Sequence, residues 1–85
     1  MRLKAFLAIA TLFSVLAACQ GQDASTYTLY RNSVLNDGAR IRVATFDAAD
    51  GDAYNYENCT AAAGLFGGQP GTRTRFWCEK GRYRP

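Results

Sequence analysis

The sequence predicts a small α+β domain of order ββαβ, in which a three-stranded sheet of order 2-1-3 carries one helix packed on one face and one disulfide. Three observations lead to this fold class. Two early segments have the composition of paired strands, a later segment has helical periodicity, and an alternating segment follows a glycine-rich break.

The first two strands are expected to form a β-hairpin. Residues 26–30 are mostly aromatic or β-branched, and residues 40–46 alternate between polar and apolar side chains. Between them, residues 36–38 (NDG) provide turn chemistry that tolerates positive φ.

A helix is expected over residues 53–66, where apolar side chains recur at steps of three and four and therefore share one face. Asp50 or Asp52 is placed to cap its N-terminus, and residues 67–71 (GGQPG) are expected to end it. The shared face carries Tyr56, Cys59, Ala63 and Phe66.

Residues 72–83 alternate and are expected to form the last strand. Because the helix returns the chain to the other end of the sheet, the second and third strands should run parallel and flank the first. Cys59 on the helix then faces Cys78 on the third strand. The inward-facing set is Tyr27, Leu29, Ile41, Val43, Tyr56, Phe66 and Phe76.

The first 18 residues have the features of an export signal. Arg2 and Lys4 form a short basic start, and residues 5–15 are apolar apart from Thr11 and Ser14. A transmembrane helix needs about 20 apolar residues, and this run ends sooner, so we expect a cleaved signal peptide.

Residues 16–19 (LAAC) resemble the lipobox of bacterial lipoproteins. The resemblance implies cleavage before Cys19 and acylation of that cysteine, for example with palmitate, which anchors the protein in a membrane. The alternative is a plain signal peptide with an incidental cysteine, but an ordinary secretory site has a small residue where Leu16 stands. The expected organisation is a signal peptide over 1–18, a lipidated tether over 19–25 and a folded domain over 26–85.

The expected location is the cell envelope. Gln20, rather than Asp, follows the cysteine. In a Gram-negative cell, the lipoprotein resemblance then implies transfer to the outer membrane, with the domain facing the periplasm.

The count of three cysteines fits this organisation. Lipidation uses Cys19, and Cys59 and Cys78 can then form a disulfide in an oxidising compartment. Closing this loop would stabilise so small a domain by roughly 3 kcal/mol. The alternative role as a catalytic thiol lacks a histidine base, because the chain contains no histidine.

Charge and motifs exclude several function classes. Without the leader, eight Lys or Arg stand against seven Asp or Glu, so we expect no nucleic-acid partner. The acidic loop, Asp47–Asp52, does not match a calcium site. Phe46 and Ala48 occupy the first and third EF-hand positions, where oxygen ligands are needed. We expect no metal, no cofactor and no catalytic residues, and therefore not an enzyme.

The mature part also resembles the small lipoproteins, of no established activity, that are common in bacterial genomes. Residues 75–83 (RFWCEKGRY) and 56–59 (YENC) carry this resemblance. It implies no site residues.

The sheet face opposite the helix is the candidate interaction face. Alternation places on it Tyr30, Arg40, Arg42, Phe46, Arg73, Arg75 and Trp77. One account is that arginine stems cover the rings and shield an open sheet, with cation–π contacts of about 0.5–1 kcal/mol. The other is that the face binds an anionic envelope component or a protein partner through arginine forks.

Three functions are compatible with these features. The leading hypothesis is a lipid-anchored, non-enzymatic structural or interaction module. The second is an inhibitor of an incoming hydrolase such as a lysozyme, which would present the acidic loop Asp47–Asp52 to a basic cleft. The third is a phage- or plasmid-derived accessory lipoprotein.

Overall fold

The computed structural model describes residues 24–85, so the predicted leader and lipobox, including Cys19, lie outside the described residues. Strand β1 spans Tyr27–Arg31 and strand β2 spans Ile41–Phe46. Helix α1 spans Asp52–Gly67, and strand β3 spans Phe76–Lys80. The predicted order ββαβ is confirmed, although β3 is shorter than its alternating segment.

The sheet has the order β2-β1-β3, as predicted. Strand β1 pairs antiparallel with both neighbours, so β2 and β3 run parallel, as expected for two strands joined through a helix. The central position of β1 explains why four of its five residues are buried. None of the helices within residues 24–85 is long and apolar enough to cross a bilayer.

The hairpin between β1 and β2 is confirmed, but its connection is a loop over residues 32–40. Ser33 and Asn36 exchange two backbone hydrogen bonds of 3.2 Å across it. Positive φ values in the described part of the chain occur at Gly51, Gly71 and Gly81. Gly38 is not among them. The turn predicted over residues 36–38 would tolerate a positive φ, but Gly38 does not adopt one.

The core lies between the sheet and α1. Leu29 at the centre of β1 and Cys59 on α1 are fully buried, with Tyr27 beside them. Cys59 forms the predicted disulfide with Cys78 on β3, with a Cα–Cα distance of 6.2 Å. The partly buried side chains packed against this cluster are Ala44, Phe46, Ala62, Ala63, Phe76 and Cys78.

The predicted facing of β2 is right at Arg42 and wrong beyond it. Ile41 and Val43 were expected inward but are each 37% exposed, whereas Phe46, expected on the open face, packs against the core. The position of Phe46 results from an irregularity in the pairing with β1: Leu29 pairs with Ala44 but Tyr30 pairs with Arg42, so Val43 has no pairing residue in β1. One extra residue in a strand reverses the side-chain alternation beyond it.

The helix face is also rotated from its prediction. Cys59 and Ala63 face the sheet as expected. Tyr56 and Phe66 lie at the edge of the contact between helix and sheet and remain exposed. Each contacts one sheet ring, Tyr56 at the edge of Tyr27 and Phe66 stacked on Phe76, both with centroids 5.4 Å apart. The small side chains of Ala62 and Ala63 let the helix lie close to the sheet.

Asn55, in the first turn of the helix, faces inward and is buried. Its side-chain oxygen accepts a hydrogen bond from the amide of Ala48 at 3.0 Å. Its amide nitrogen donates to the carbonyls of Ser25 and Ala48 at 2.8 and 3.0 Å. This side chain therefore joins the segment before β1, the β2–α1 loop and the helix.

The expected capping by Asp50 or Asp52 is wrong. Residue Gly51 is the N-cap, with φ 109°, and no side chain caps the helix. The carboxylate of Asp52 instead accepts a hydrogen bond from the Tyr27 hydroxyl at 3.1 Å and pairs with Lys80 at 3.1 Å. The helix ends at Gly67, within the glycine-rich segment that was expected to end it.

Candidate functional site

The sheet surface opposite α1 is built from the alternate residues of β1 and β3. Leu29 and Cys78 pair with each other and face the helix, so their neighbours face away from it. On the far side, Tyr30 pairs with Trp77 and with Arg42, and Thr28 pairs with Glu79. We call this surface the open face: Thr28, Tyr30, Arg42, Trp77 and Glu79, together with Arg40, Arg75 and Tyr83, which contact them.

The centre of the open face is nevertheless buried. Thr28 is fully buried and Tyr30 is 1% exposed, although no helix within residues 24–85 covers them. The cover consists of side chains of the face itself: the Trp77 ring stacks on Tyr30 with centroids 6.1 Å apart, and the Arg40 guanidinium lies 4.0 Å from the centre of the Tyr30 ring. The hydroxyl of Thr28 donates to the carbonyl of Gly81 at 2.7 Å.

A hydrogen-bonded network fixes this cover. The Nε and Nη2 atoms of Arg40 each donate to one carboxylate oxygen of Glu79 at 2.9 Å, and Nη2 also donates to the Tyr30 hydroxyl at 2.9 Å. The indole Nε1 of Trp77 donates to Glu79 at 2.8 Å. The two-point contact is the strong form of arginine–carboxylate pairing, so this network holds four side chains in place.

The charges of the network neutralise each other. The hydrogen bond from Arg40, and next that from Trp77, hold the pKa of the Glu79 carboxyl below its ordinary value. The same bond to Glu79 raises the pKa of Arg40. Both groups are therefore charged at neutral pH, and Arg40 is already occupied by a carboxylate of its own chain.

Two further arginines lie on aromatic rings of this surface. The Arg42 guanidinium lies 4.5 Å from the centre of the Tyr83 ring, and that of Arg75 lies 5.7 Å from the centre of the Trp77 ring. Arg75 also reaches Asp37 at 3.4 Å, but both side chains are mostly exposed. Arg42 has no carboxylate partner among the ion pairs of the described residues.

The structure brings together five of the seven residues predicted for this face: Tyr30, Arg40, Arg42, Arg75 and Trp77. Phe46 lies on the helix side, for the reason given by the β2 register. Arg73 is exposed and precedes β3.

Sequence reasoning missed Glu79 and Tyr83. Glu79 follows Trp77 by two residues, and alternation alone could have placed it on the same face. Tyr83 lies beyond the end of β3, where alternation no longer applies, so its contact with Arg42 had no signal in the sequence.

Comparisons of this chain with protein-family models, with curated proteins and with solved structures found no match.

The acidic loop between β2 and α1 is largely occupied by internal contacts. Asp47 pairs with Arg82 at 3.1 Å, and Asp52 pairs with Lys80. The contact with Lys80 lowers the pKa of Asp52 and raises that of Lys80, while burial raises the pKa of Tyr27. Within residues 24–85, no three potential metal-ligating side chains lie together.

An open groove runs between the end of β2 and α1. Its walls are mainly apolar or uncharged, and they include Phe46, Ala48, Tyr54, Ala61 and Leu65. It contains Asp47 as its charged member. Such a lining suits apolar contact rather than acid–base chemistry.

Proposed function

We propose that this chain is the precursor of a bacterial lipoprotein whose mature part is a lipid-anchored, non-enzymatic binding module of the cell envelope. The leader and the lipobox ending at Cys19 support the anchor. The Cys59–Cys78 disulfide supports export, because such bonds persist in oxidising compartments.

The open face is the proposed contact surface, and its partner is an anionic component of the envelope. The observation that carries this proposal is the pair of guanidiniums on rings, Arg42 on Tyr83 and Arg75 on Trp77. A planar guanidinium lying on a ring keeps donors at its edge, and these suit the bidentate geometry of phosphate or carboxylate. Polymers that carry such groups are therefore the proposed ligands.

The centre of the face has a structural role in this proposal. Arg40 shields Tyr30 and is neutralised by Glu79, which also accepts the hydrogen bond that holds the Trp77 ring under Arg75. Shielding thus explains the middle of the face, and anion binding is assigned to its edges.

The acidic-loop route to hydrolase inhibition has weaker support. Two of the three carboxylates in Asp47–Asp52 are paired within the chain, which leaves Asp50 as the acid without a described ion pair. Nothing in the described residues favours a phage or plasmid origin.

The anchor is tested by fractionating cells that express the full chain or its Cys19→Ser variant. We expect the wild type in the membrane fraction, cleaved, because two or more acyl chains hold a protein there stably. The variant should remain as uncleaved precursor or be released. A cleaved, membrane-bound Cys19→Ser protein would exclude the lipoprotein proposal.

The binding proposal is tested with the mature protein and immobilised cell-wall fragments. We expect retention on anionic fragments that falls as salt concentration rises, because surface charge pairs are screened. Fragments whose phosphates and carboxylates are chemically blocked are the control. Equal retention on blocked and unblocked fragments would exclude an anion-binding face.

A further inference from the structure

The loop between β1 and β2 exposes two adjacent aliphatic side chains at its end. Leu35 is 95% exposed and Val34 is 56% exposed. A single exposed leucine is ordinary, but two neighbours at the end of one loop form a convex apolar point, which we call the Val34–Leu35 tip.

This loop has a defined shape. Asn32 is buried at its base, where its side chain donates to Asp37 at 2.8 Å and accepts from the amide of Arg75 at 2.7 Å. The side chain of Asn36 accepts from the amide of Gly38 at 3.0 Å, and Ser33 Oγ accepts from the amide of Leu35 at 3.1 Å. Because the backbone is already held, the tip loses little conformational entropy when it enters an apolar environment.

The charges around the tip are mainly positive. Arg31 donates to the carbonyl of Asn32 at 2.9 Å, and Arg75 reaches the backbone and side chain of Asp37. Asp37 is the acid in contact with Arg75, and Arg31 has no carboxylate partner among the ion pairs of the described residues. The opposite end of the sheet carries the acidic loop, because Phe46 at the end of β2 pairs with Tyr27 at the start of β1. The tip end is therefore the one suited to an anionic surface.

The proposed anchor lies within reach of the same surface. The tether, residues 19–25, can span at most about 25 Å when fully extended. The five residues of β1, which separate this tether from the loop, extend about 17 Å. A domain lying on its side can therefore contact the bilayer through both Cys19 and the tip.

We infer that the Val34–Leu35 tip inserts into the headgroup region of the anionic bilayer that holds the lipid anchor, and so fixes the orientation of the domain. This inference rests on the proposed lipid anchor. A bilayer is favoured over a protein partner because two aliphatic side chains bury far less than the roughly 800 Å² per partner of a specific interface. A contact that is too weak to act alone suffices once an anchor raises its effective concentration.

The test uses the full chain, expressed with its leader, purified from membranes and reconstituted into vesicles. The Leu35→Trp variant places an indole at the tip, and Leu65→Trp, at a position 75% exposed on α1, is the matched control. The lipid is phosphatidylcholine with phosphatidylglycerol in equal parts, with brominated acyl chains as the quencher. Both variants retain Trp77, so the wild-type emission is subtracted.

We expect the emission added by Leu35→Trp to be strongly quenched and shifted to shorter wavelength, and that added by Leu65→Trp to remain unquenched. Quenching at position 35 should be weaker in phosphatidylcholine alone, because Arg31 and Arg75 then lack anionic partners. Equal quenching in the two lipids would contradict the assigned anionic surface.

Two outcomes separate failure of the inference from failure of the anchor. If the protein floats with the vesicles but position 35 stays unquenched, the tip faces away from the bilayer, as contact with a protein partner would require. The inference is then wrong, and the anchor is retained. If the wild-type protein does not float with the vesicles, both the anchor and the inference are wrong.

Discussion

The two faces of the central strand are buried to the same degree by opposite means. On the helix side, Leu29 is covered by apolar side chains and by the Cys59–Cys78 disulfide. On the open side, Tyr30 is covered by Trp77 and Arg40, which Glu79 joins through hydrogen bonds. Covering a sheet with charged side chains leaves polar atoms at the surface, where solvent reaches them.

This difference predicts that the two faces contribute unequally to stability. A domain of this size has too small an apolar core to be stable on hydrophobic burial alone, so the disulfide side is expected to dominate the free energy of unfolding. The open side is expected to contribute less, because its arginine–carboxylate pair remains partly exposed to solvent. Substitutions on the helix side should therefore lower the free energy of unfolding more than substitutions on the open side.

The largest effect is expected from breaking the disulfide. Reduction, or the double variant Cys59→Ala with Cys78→Ala, removes a link between residues 19 positions apart. The chain-entropy model gives a loss of about 3 kcal/mol. For a domain of this size, that corresponds to a fall of more than about 10 °C in the unfolding midpoint measured by circular dichroism. An unchanged midpoint would show that the helix side does not depend on the disulfide.

A smaller loss is expected from Asn55→Ala, on the same side. The change removes the buried side chain that accepts from the amide of Ala48 and donates to the carbonyls of Ala48 and Ser25, at a cost of roughly 1–3 kcal/mol. Asn58→Ala is the matched control, because Asn58 is exposed and donates only to its own helix at Tyr54. Chemical denaturation should separate the two variants, and equal losses would contradict the role assigned to Asn55.

The smallest effect is expected on the open side, and it depends on pH. The pKa of Glu79 is lower in the folded chain than its ordinary value of 4.5, so its pairing stabilises the fold above about pH 4.5. This stabilisation is lost as the pH falls through the lowered folded value, because the carboxyl then takes up a proton in both states. Glu79→Gln should make the free energy of unfolding depend less on pH in the acid range. The exposed helix variant Glu57→Gln should change this dependence less. Identical profiles for the two variants would argue against the network.

Much of the fold could be predicted because its signals are local or depend on connectivity. Element order followed from composition and periodicity, and the sheet order followed from the handedness of the helical connection. The disulfide followed from the cysteine count. These inferences do not depend on the position of any single side chain.

The facing of β2 beyond Arg42 could not be predicted, because the unpaired Val43 reverses the alternation that follows and leaves no mark in the sequence. The buried role of Asn55 was equally hidden, since polar residues are ordinarily assigned to the exposed side of a helix. For the open face, alternation found Tyr30 and Trp77, but the partners Glu79 and Tyr83 depend on three-dimensional contacts.

The most direct test of the contact surface compares two single charge removals in the mature protein. Arg42→Ser removes the guanidinium that lies on Tyr83, and Arg73→Ser removes an exposed guanidinium that precedes β3. Both lower the net charge equally, so a purely nonspecific attraction would weaken equally. Binding to anionic cell-wall fragments should fall clearly for Arg42→Ser and little for Arg73→Ser. Equal binding by the two variants would contradict the assignment of the open face as the contact surface.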